Sequence, residues 1–368
     1  MTTHPLFVLS PCGTSLLTNH ATDNDRKLIG KYANTKEPDD IQYQDLKTLQ
    51  NLTQTVRENL KDANFKQAAK LSAELNGIIK LCEGQFNTSQ DYHLLLCTDT
   101  WLGHTTAIIV SDWLRNQGVS TEIKRQSDLQ TKDLTAFQLA LSDLVSWCAA
   151  MLPSYRNRGY HIVFNLTGGF KSVQGFLQTL STFYADESIY IFETATDLLR
   201  IPRLPVEMAA ENTVRQNFLT FRKLSLNLPV DNTAKIPETL LLKSDGMIDL
   251  SPWGDLVWEQ TKDRLYREAL HPSPYAKITF SSKFEQSLQG LQPDRLILLN
   301  TRIDQLVKFF ETNKQNNPRS LDFKALKGNP CPPSTHEIDA WSDNGAYRIF
   351  AHYEGDRLIL DKLDKHLP

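Results

Sequence analysis

The most constraining stretch of this chain is His161 to Ser172, HIVFNLTGGFKS: an apolar run that stops at Asn165 and breaks at Leu166-Thr167-Gly168-Gly169 into a helix starting near Phe170. A strand this apolar, with no polar alternation, is covered on both faces, as in parallel sheets flanked by helices. Two further junctions share the pattern. Leu6 to Ser10 runs into Pro11-Cys12-Gly13-Thr14-Ser15, and Tyr92 to Cys97 runs into Thr98-Asp99-Thr100. Helical segments lie between them. Residues 43 to 82 carry recurrent Leu46, Leu49, Leu52, Val56 and Leu60. A helix is predicted from about Leu102 to Asn116, stopped by Gly118, and another over 133 to 152. Short strands are expected at Thr121 to Lys124 and Ser188 to Phe192. Strands alternating with helices predict a Rossmann-like α/β domain with a doubly wound parallel sheet over residues 1–205.

In such a sheet, ligands bind beyond the carboxyl ends of the strands, where loops enter helix N-termini. Gly168 and Gly169 let a backbone approach closely, and free amides at the helix start hold an anionic oxygen. Lys171 stands in the first helical turn against the helix dipole, which an anion would offset. The plainer reading of Gly168-Gly169 alone is a tight strand-to-helix turn. Asp99 either faces the ligand or caps the following helix. A dinucleotide site is excluded, because the first loop lacks GxGxxG.

The combination NLTGGFKS, CTDT and SPCGTS closely resembles the CRISPR-associated Rossmann fold (CARF) sensors of cyclic oligoadenylates. The resemblance covers roughly residues 1–205. It implies a homodimer whose twofold axis is bridged by the ring, with cyclic tetra-adenylate (or hexa-adenylate) as allosteric activator and no other cofactor. Ligand-facing positions implied by it are Ser10, Gly13, Thr14, Ser15, Thr98, Asp99, Thr100, Thr167, Gly168, Gly169 and Lys171.

The pattern changes after residue 205. Residues 206–275 predict a small helical, winged-helix-like connector with a strand around Leu240 to Leu242 and a turn at Ser244-Asp245-Gly246. Residues 276–368 predict an α+β domain. Helices at Phe284 to Leu291 and Arg295 to Asn313 precede strands at Asp322 to Leu326, His336 to Trp341, Tyr347 to Tyr353 and Leu358 to Asp364. Turns fall at Lys327-Gly328-Asn329-Pro330, Asp343-Asn344-Gly345 and Glu354-Gly355-Asp356, and Asn-Gly between alternating runs is a strong hairpin signal.

This order, with FKALKG and GAYRIFAHYEGDRLILDKLDKH, resembles the RelE family of ribosome-dependent mRNA interferases over about residues 284–366. The implied activity is metal-independent mRNA cleavage by an endoribonuclease with ribosome and mRNA as partners. Such cleavage needs a base, cations for the phosphorane and a proton donor. Period-2 geometry puts Arg348, Phe350 and His352 on one strand face, and Tyr347, Ile349, Ala351 and Tyr353 on the face toward the helices. Arg348 is expected to stabilise the phosphate, His336 or His366 to act as base or acid, and Lys324 and Lys327 to contact RNA or the phosphorane. His352 is expected to be a surface strand residue, and solvation alone accounts equally for Lys324. The family's arginine before the hairpin turn is replaced by Trp341-Ser342-Asp343-Asn344, and the chain stops at Pro368 without a terminal tyrosine.

Other nuclease types fit less well. Arg264 to His271 has the spacing of an R-x₄₋₆-H motif, but His271 is followed by Pro272 and is not expected to be helical, and Asp322-Phe323-Lys324 is only a fragment of a restriction-type metal site. A ligand-responsive transcription regulator remains an alternative, with Arg215, Arg222 and Lys223 as its sparse basic cluster. So does degradation of the ring by the sensor itself.

Composition sets the remaining expectations. No apolar run approaches a membrane span, and the first residues do not form a signal peptide, so a cytoplasmic protein is expected. Five scattered cysteines without CxxC spacing argue against a disulfide framework or zinc site. The net charge of −3, and 13 Lys+Arg against 12 Asp+Glu from Ala276 onward, exclude a non-specific nucleic-acid coat.

Overall fold

The computed structural model describes residues 4–191, 197–206, 209–244, 246–315, 317–328, 330–343 and 345–365. The chain divides into two compact units, Met1–Glu207 and Met208–Pro368.

The first unit runs β1 (Leu6–Cys12), α1 (Ser15–Thr18), α2 (Asp23–Lys31), α3 (Tyr43–Lys61), α4 (Phe65–Leu71), α5 (Ala73–Leu81), β2 (Tyr92–Cys97), α6 (Trp101–Asn116), β3 (Ser120–Arg125), α7 (Leu134–Asn157), β4 (His161–Asn165), α8 (Lys171–Tyr184), β5 (Glu187–Tyr190) and β6 (Leu199–Pro202). Its sheet has the order β3-β2-β1-β4-β5-β6, parallel except for β6, which pairs antiparallel with β5. The reversal of strand order falls between β1 and β4. Burial along the strands is nearly continuous, as their unbroken apolar sequence requires. The short helix α1 and the edge strand β6 had no clear sequence signal, because four-residue pieces carry too few apolar repeats.

Among the described residues α7 is long and apolar enough to cross a membrane by length and composition. Its apolar residues are interrupted rather than consecutive, which is why no run stood out. In the fold it is a layer helix, burying Leu141, Leu144, Val145, Cys148 and Leu152.

The second unit runs α9 (Glu211–Gln216), α10 (Phe218–Leu224), β7 (Leu241–Ser244), β8 (Met247–Leu250), α11 (Pro252–Tyr266), β9 (Ile278–Phe280), α12 (Ser282–Ser287), α13 (Pro293–Glu311), β10 (Lys324–Ala325), β11 (His336–Trp341), β12 (Tyr347–Glu354) and β13 (Arg357–Lys365). The β7–β8 hairpin comes before the third helix of the connector, not after it as a wing would. The connector is joined to α13 by a buried polar network. Arg222, fully buried, pairs with Asp304 at 2.8 Å and donates to the Pro272 carbonyl, while the Tyr266 hydroxyl also donates to Asp304. Asn300, also fully buried, donates to the Tyr266 and Ala269 carbonyls and so caps the end of α11.

The five-stranded sheet of this unit has the order β10-β11-β12-β13-β9. All its neighbours are antiparallel except β9 on β13. One face packs on α13: Ile338, Ala340, Ile349, Ala351, Leu358 and Leu360 meet Leu299, Ile303, Leu306, Val307 and Phe309. A bulge in β13 opposite Phe350 and Ala351 inserts one residue. It turns both Asp361 and Lys362 toward the other face, where Asp361 reaches His352 and Lys362 covers the Phe350 ring.

Candidate ligand site and candidate nucleic-acid face

The loops after β1 and β4 meet at the point where strand order reverses. A Cβ on Gly13 would stand 3.2 Å from the Gly169 backbone, and one on Gly169 would stand 2.7 Å from the Pro11 side chain. Gly169 also has φ +100°. These glycines therefore serve first to let two loops pack on each other, the plainer of the two readings. Gly169→Ala is expected to destabilise the first unit by about 1–3 kcal/mol through the left-handed φ and the Pro11 clash, visible as a lowered melting temperature.

The anchor of this crevice is a residue that the motifs did not single out. Glu74, in the first turn of α5, is fully buried. Its carboxylate accepts from the Gly13 amide (3.1 Å), the Ser15 hydroxyl (3.4 Å) and the Ser72 hydroxyl (2.8 Å). Its carbonyl accepts from the Asn165 amide, which also donates to Ser10. A Cβ on Gly168 would meet Glu74 at 2.5 Å. The signal was an acid inside the apolar helical run LSAELNGIIKL, a cost that only a buried donor set offsets.

This arrangement sorts the expected ligand residues. Ser10, Thr98 and Thr100 are buried and bonded within the protein: Ser10 to Asn165, Thr98 and Thr100 to each other at 2.9 Å. Thr100, not Asp99, caps α6 through the Gly103 amide. Asp99 is taken up by Arg125 and Lys36, each at 2.9 Å, and by the Asp128 amide. Burial pushes its carboxyl up, but Lys36, that amide and Arg125 outweigh this and hold it below the usual range. Gly13 and Gly168 are buried beneath the loops. The accessible rim is Thr14, Ser15, Gly169 and Lys171, while Thr167 turns its hydroxyl inward toward Gly77, buried and without a partner among the described residues. The N-terminus of α8 has no side-chain cap and no acid in its first turn. Lys171 is exposed there, and no described residue pairs with it.

In the second unit the structure does not bring the expected catalytic residues together. Arg348 lies opposite Asp339, 2.8 Å from its carboxylate, on the face away from α13. His336 lies opposite Ala351, on the helix-packed face. It stacks on Phe323 and meets Tyr353 edge-on, both with ring centroids 5.1 Å away. Burial and the nearby Lys314 hold its pKa below the ordinary histidine value. Arg348 and His336 thus cannot serve one phosphate. Lys324 is exposed but paired with Asp322 and, at 3.4 Å, with Glu337, whereas Lys327 is exposed without a partner among the described residues. His366 lies outside the described residues.

The face away from α13 is less open than the strand pattern suggested. Phe350 is fully buried there. Segment 330–335 crosses the face, with Ser334 donating to Asp361 at 2.7 Å and the Thr335 amide donating to the Ala351 carbonyl. His352, expected to be a plain surface residue, is instead oriented. Its Nδ1 bonds to Asp361 at 2.8 Å, which leaves Nε2 directed away with no partner among the described residues. Lys362 lies on the same face, 5.3 Å from the Phe350 ring centroid and 2.8 Å from Asp364. Only the β13 bulge, invisible to an alternating pattern, puts Asp361 and Lys362 on this face together.

The basic cluster of the connector is also spent internally. Arg222 is buried on Asp304, and Arg215 is held by Glu211 and Glu268. That removes two of three cations from any DNA-facing surface.

Residues 69–204 match the model of a family described as CRISPR-associated protein (Cas_APE2256). The matched segment begins within α4, contains Glu74, and ends just after β6, so it includes β4, its loop and α8 but not β1. The chain has no match among curated proteins. The family match supports a CRISPR-related role.

Proposed function

We propose that the first unit binds a cyclic oligoadenylate, cyclic tetra-adenylate foremost, and that binding activates mRNA cleavage by the second unit. The observation that carries this reading is the crevice between β1 and β4, whose β4 side lies within a segment similar to a CRISPR-associated family and is edged by Lys171 and the uncapped start of α8. The uncapped amides suit a phosphate, Lys171 adds charge, and the hydroxyls of Thr14 and Ser15 suit ribose and base edges. A twofold-symmetric ring matches two copies of this crevice related by a dimer axis.

In the second unit, His352 is the general base. Asp361 fixes its tautomer, and Nε2 takes the proton of the RNA 2′-hydroxyl. The 2′-oxygen attacks phosphorus, the bond to the 5′-oxygen breaks, and that oxygen collects a proton from an acid on the substrate side. The products are a 2′,3′-cyclic phosphate and a 5′-hydroxyl, so the step consumes no water. Lys362, on the same face as His352, stabilises the phosphorane, and Arg348, four residues along the strand and so about 13 Å away, holds a neighbouring phosphate. Arg348 with Asp339, Lys324 with Glu337 and Lys362 with Asp364 leave little free positive charge on this sheet. Weak intrinsic affinity for RNA follows, and a ribosome that presents the message compensates for it.

The sensor half is tested by equilibrium binding of cyclic tri-, tetra- and hexa-adenylate to the full chain. The expected result is one ring per two chains, tightest for the tetra-adenylate. Lys171→Ala is expected to weaken binding by about tenfold or more, as loss of a charge-assisted phosphate contact does. Failure of all three rings to bind at micromolar concentration defeats the proposal.

A further inference from the structure

The far end of α5 from Glu74 carries a cluster that the ligand site does not use. Cys82, the residue that ends α5, Asp91, just before β2, and His93, the second residue of β2, bring one ligand atom each within 4.8 Å of one another. His93 is fully buried, and neither ring nitrogen has a hydrogen-bond partner. A histidine sealed in a core with both nitrogens unsatisfied is costly and uncommon. Its neighbours do not relieve it: Val8 and Thr121 flank it in the sheet, and Phe86 meets its ring edge-on at 6.4 Å. Asp91 is held in place by the Leu6 amide at 2.9 Å and the Asn87 amide at 3.3 Å. That is how a ligating carboxylate is oriented by its surroundings.

We propose that Cys82, Asp91 and His93 form a Zn²⁺ site that fastens the end of α5 to the start of β2. A thiolate, an imidazole and a carboxylate together suit zinc, and they exclude magnesium or calcium, which take oxygen ligands. Tetrahedral bonds of about 2.0–2.3 Å put ligand atoms roughly 3.5 Å apart, so small side-chain rotations close the present spacing. The fourth position faces a cleft of about 720 Å³, also lined by His4 and Arg200, from which water would complete the tetrahedron. The site lies at the amino ends of the strands, opposite the crevice at their carboxyl ends. There it holds one end of the helix whose other end positions the β1 loop through Glu74. The cysteines carry no CxxC spacing because the three ligands come from a helix end, a loop and a strand.

The test uses the full chain, stripped with a chelator and titrated with Zn²⁺ against a chromophoric competitor. One Zn²⁺ per chain is expected, with Cys82→Ser and His93→Gln each binding at least tenfold more weakly and both retaining the far-ultraviolet circular dichroism of the parent. Substitution with Co²⁺ gives a second readout that needs no loss of affinity: a thiolate charge-transfer band in the parent, absent in Cys82→Ser. A parent chain that takes up no stoichiometric Zn²⁺, or a band that survives in Cys82→Ser, overturns the site.

Discussion

His352→Gln is expected to lower the rate of RNA cleavage by about 10²- to 10⁴-fold, the range lost with a positioned general base, while leaving ligand binding by the first unit unchanged. Asp361→Asn is expected to follow it with a smaller loss, since the amide still occupies the site but no longer fixes the tautomer or favours the imidazolium. His336→Gln should cost far less, because His336 lies on the opposite sheet face, between Phe323 and Tyr353. Single-turnover cleavage by the three variants separates the two histidines. If His336→Gln inactivates and His352→Gln does not, the general base is on the helix-packed face and the role of His352 is wrong.

Asp304→Ala is expected to have the largest effect on stability, about 3–5 kcal/mol, because it leaves the fully buried Arg222 guanidinium without its counter-ion. It also removes the acceptor of the Tyr266 hydroxyl. For a unit of this size the loss lowers the melting temperature by roughly 10 °C. The paired change Arg222→Met with Asp304→Leu should recover a good part of it, since a buried ion pair gains little over apolar groups of similar size. If Asp304→Ala melts like the parent, Arg222 is not sealed from water and the connector is not fastened to α13 in this way. The measurement is a thermal or denaturant melt followed by circular dichroism.

The framework of both units was legible because it depends on continuous or alternating apolar patterns over several residues. HIVFN and YHLLLC could only be covered strands, and YRIFAHY could only present two chemically different faces. The details of the candidate sites depend on single residues whose partners are distant in sequence. Glu74 bonds to Gly13 and Ser15, some sixty positions away, and Asn165 bonds to Ser10. No local pattern encodes those pairings. Asp99 looked equally suited to a ligand or a helix cap. Thr100 made the cap, and the cations Lys36 and Arg125, brought in by tertiary folding, took the carboxylate.

In the second unit one extra residue in β13 decides which side chains share a sheet face. A strictly alternating strand with Leu358 and Leu360 in the core would turn Lys362 inward and Leu363 outward. The bulge reconciles Leu358, Leu360 and Leu363 in one core and leaves Asp361 and Lys362 on the face of His352. A sequence with Leu at 358, 360 and 363 contains that shift, since the spacing passes from two to three. That His336 lies on the face opposite Arg348 follows from the strand register, which strand order alone does not give.

Ligand binding in the first unit, on this account, switches on ribosome-dependent cleavage by the second. The most direct test incubates the full chain with a stalled ribosome–mRNA complex, with and without cyclic tetra-adenylate, and maps message ends by primer extension. The expected result is new ends at the ribosomal A site that appear only with the ring and vanish with His352→Gln. Equal cleavage with and without ring, or none in either case despite tight binding of the ring, would contradict it.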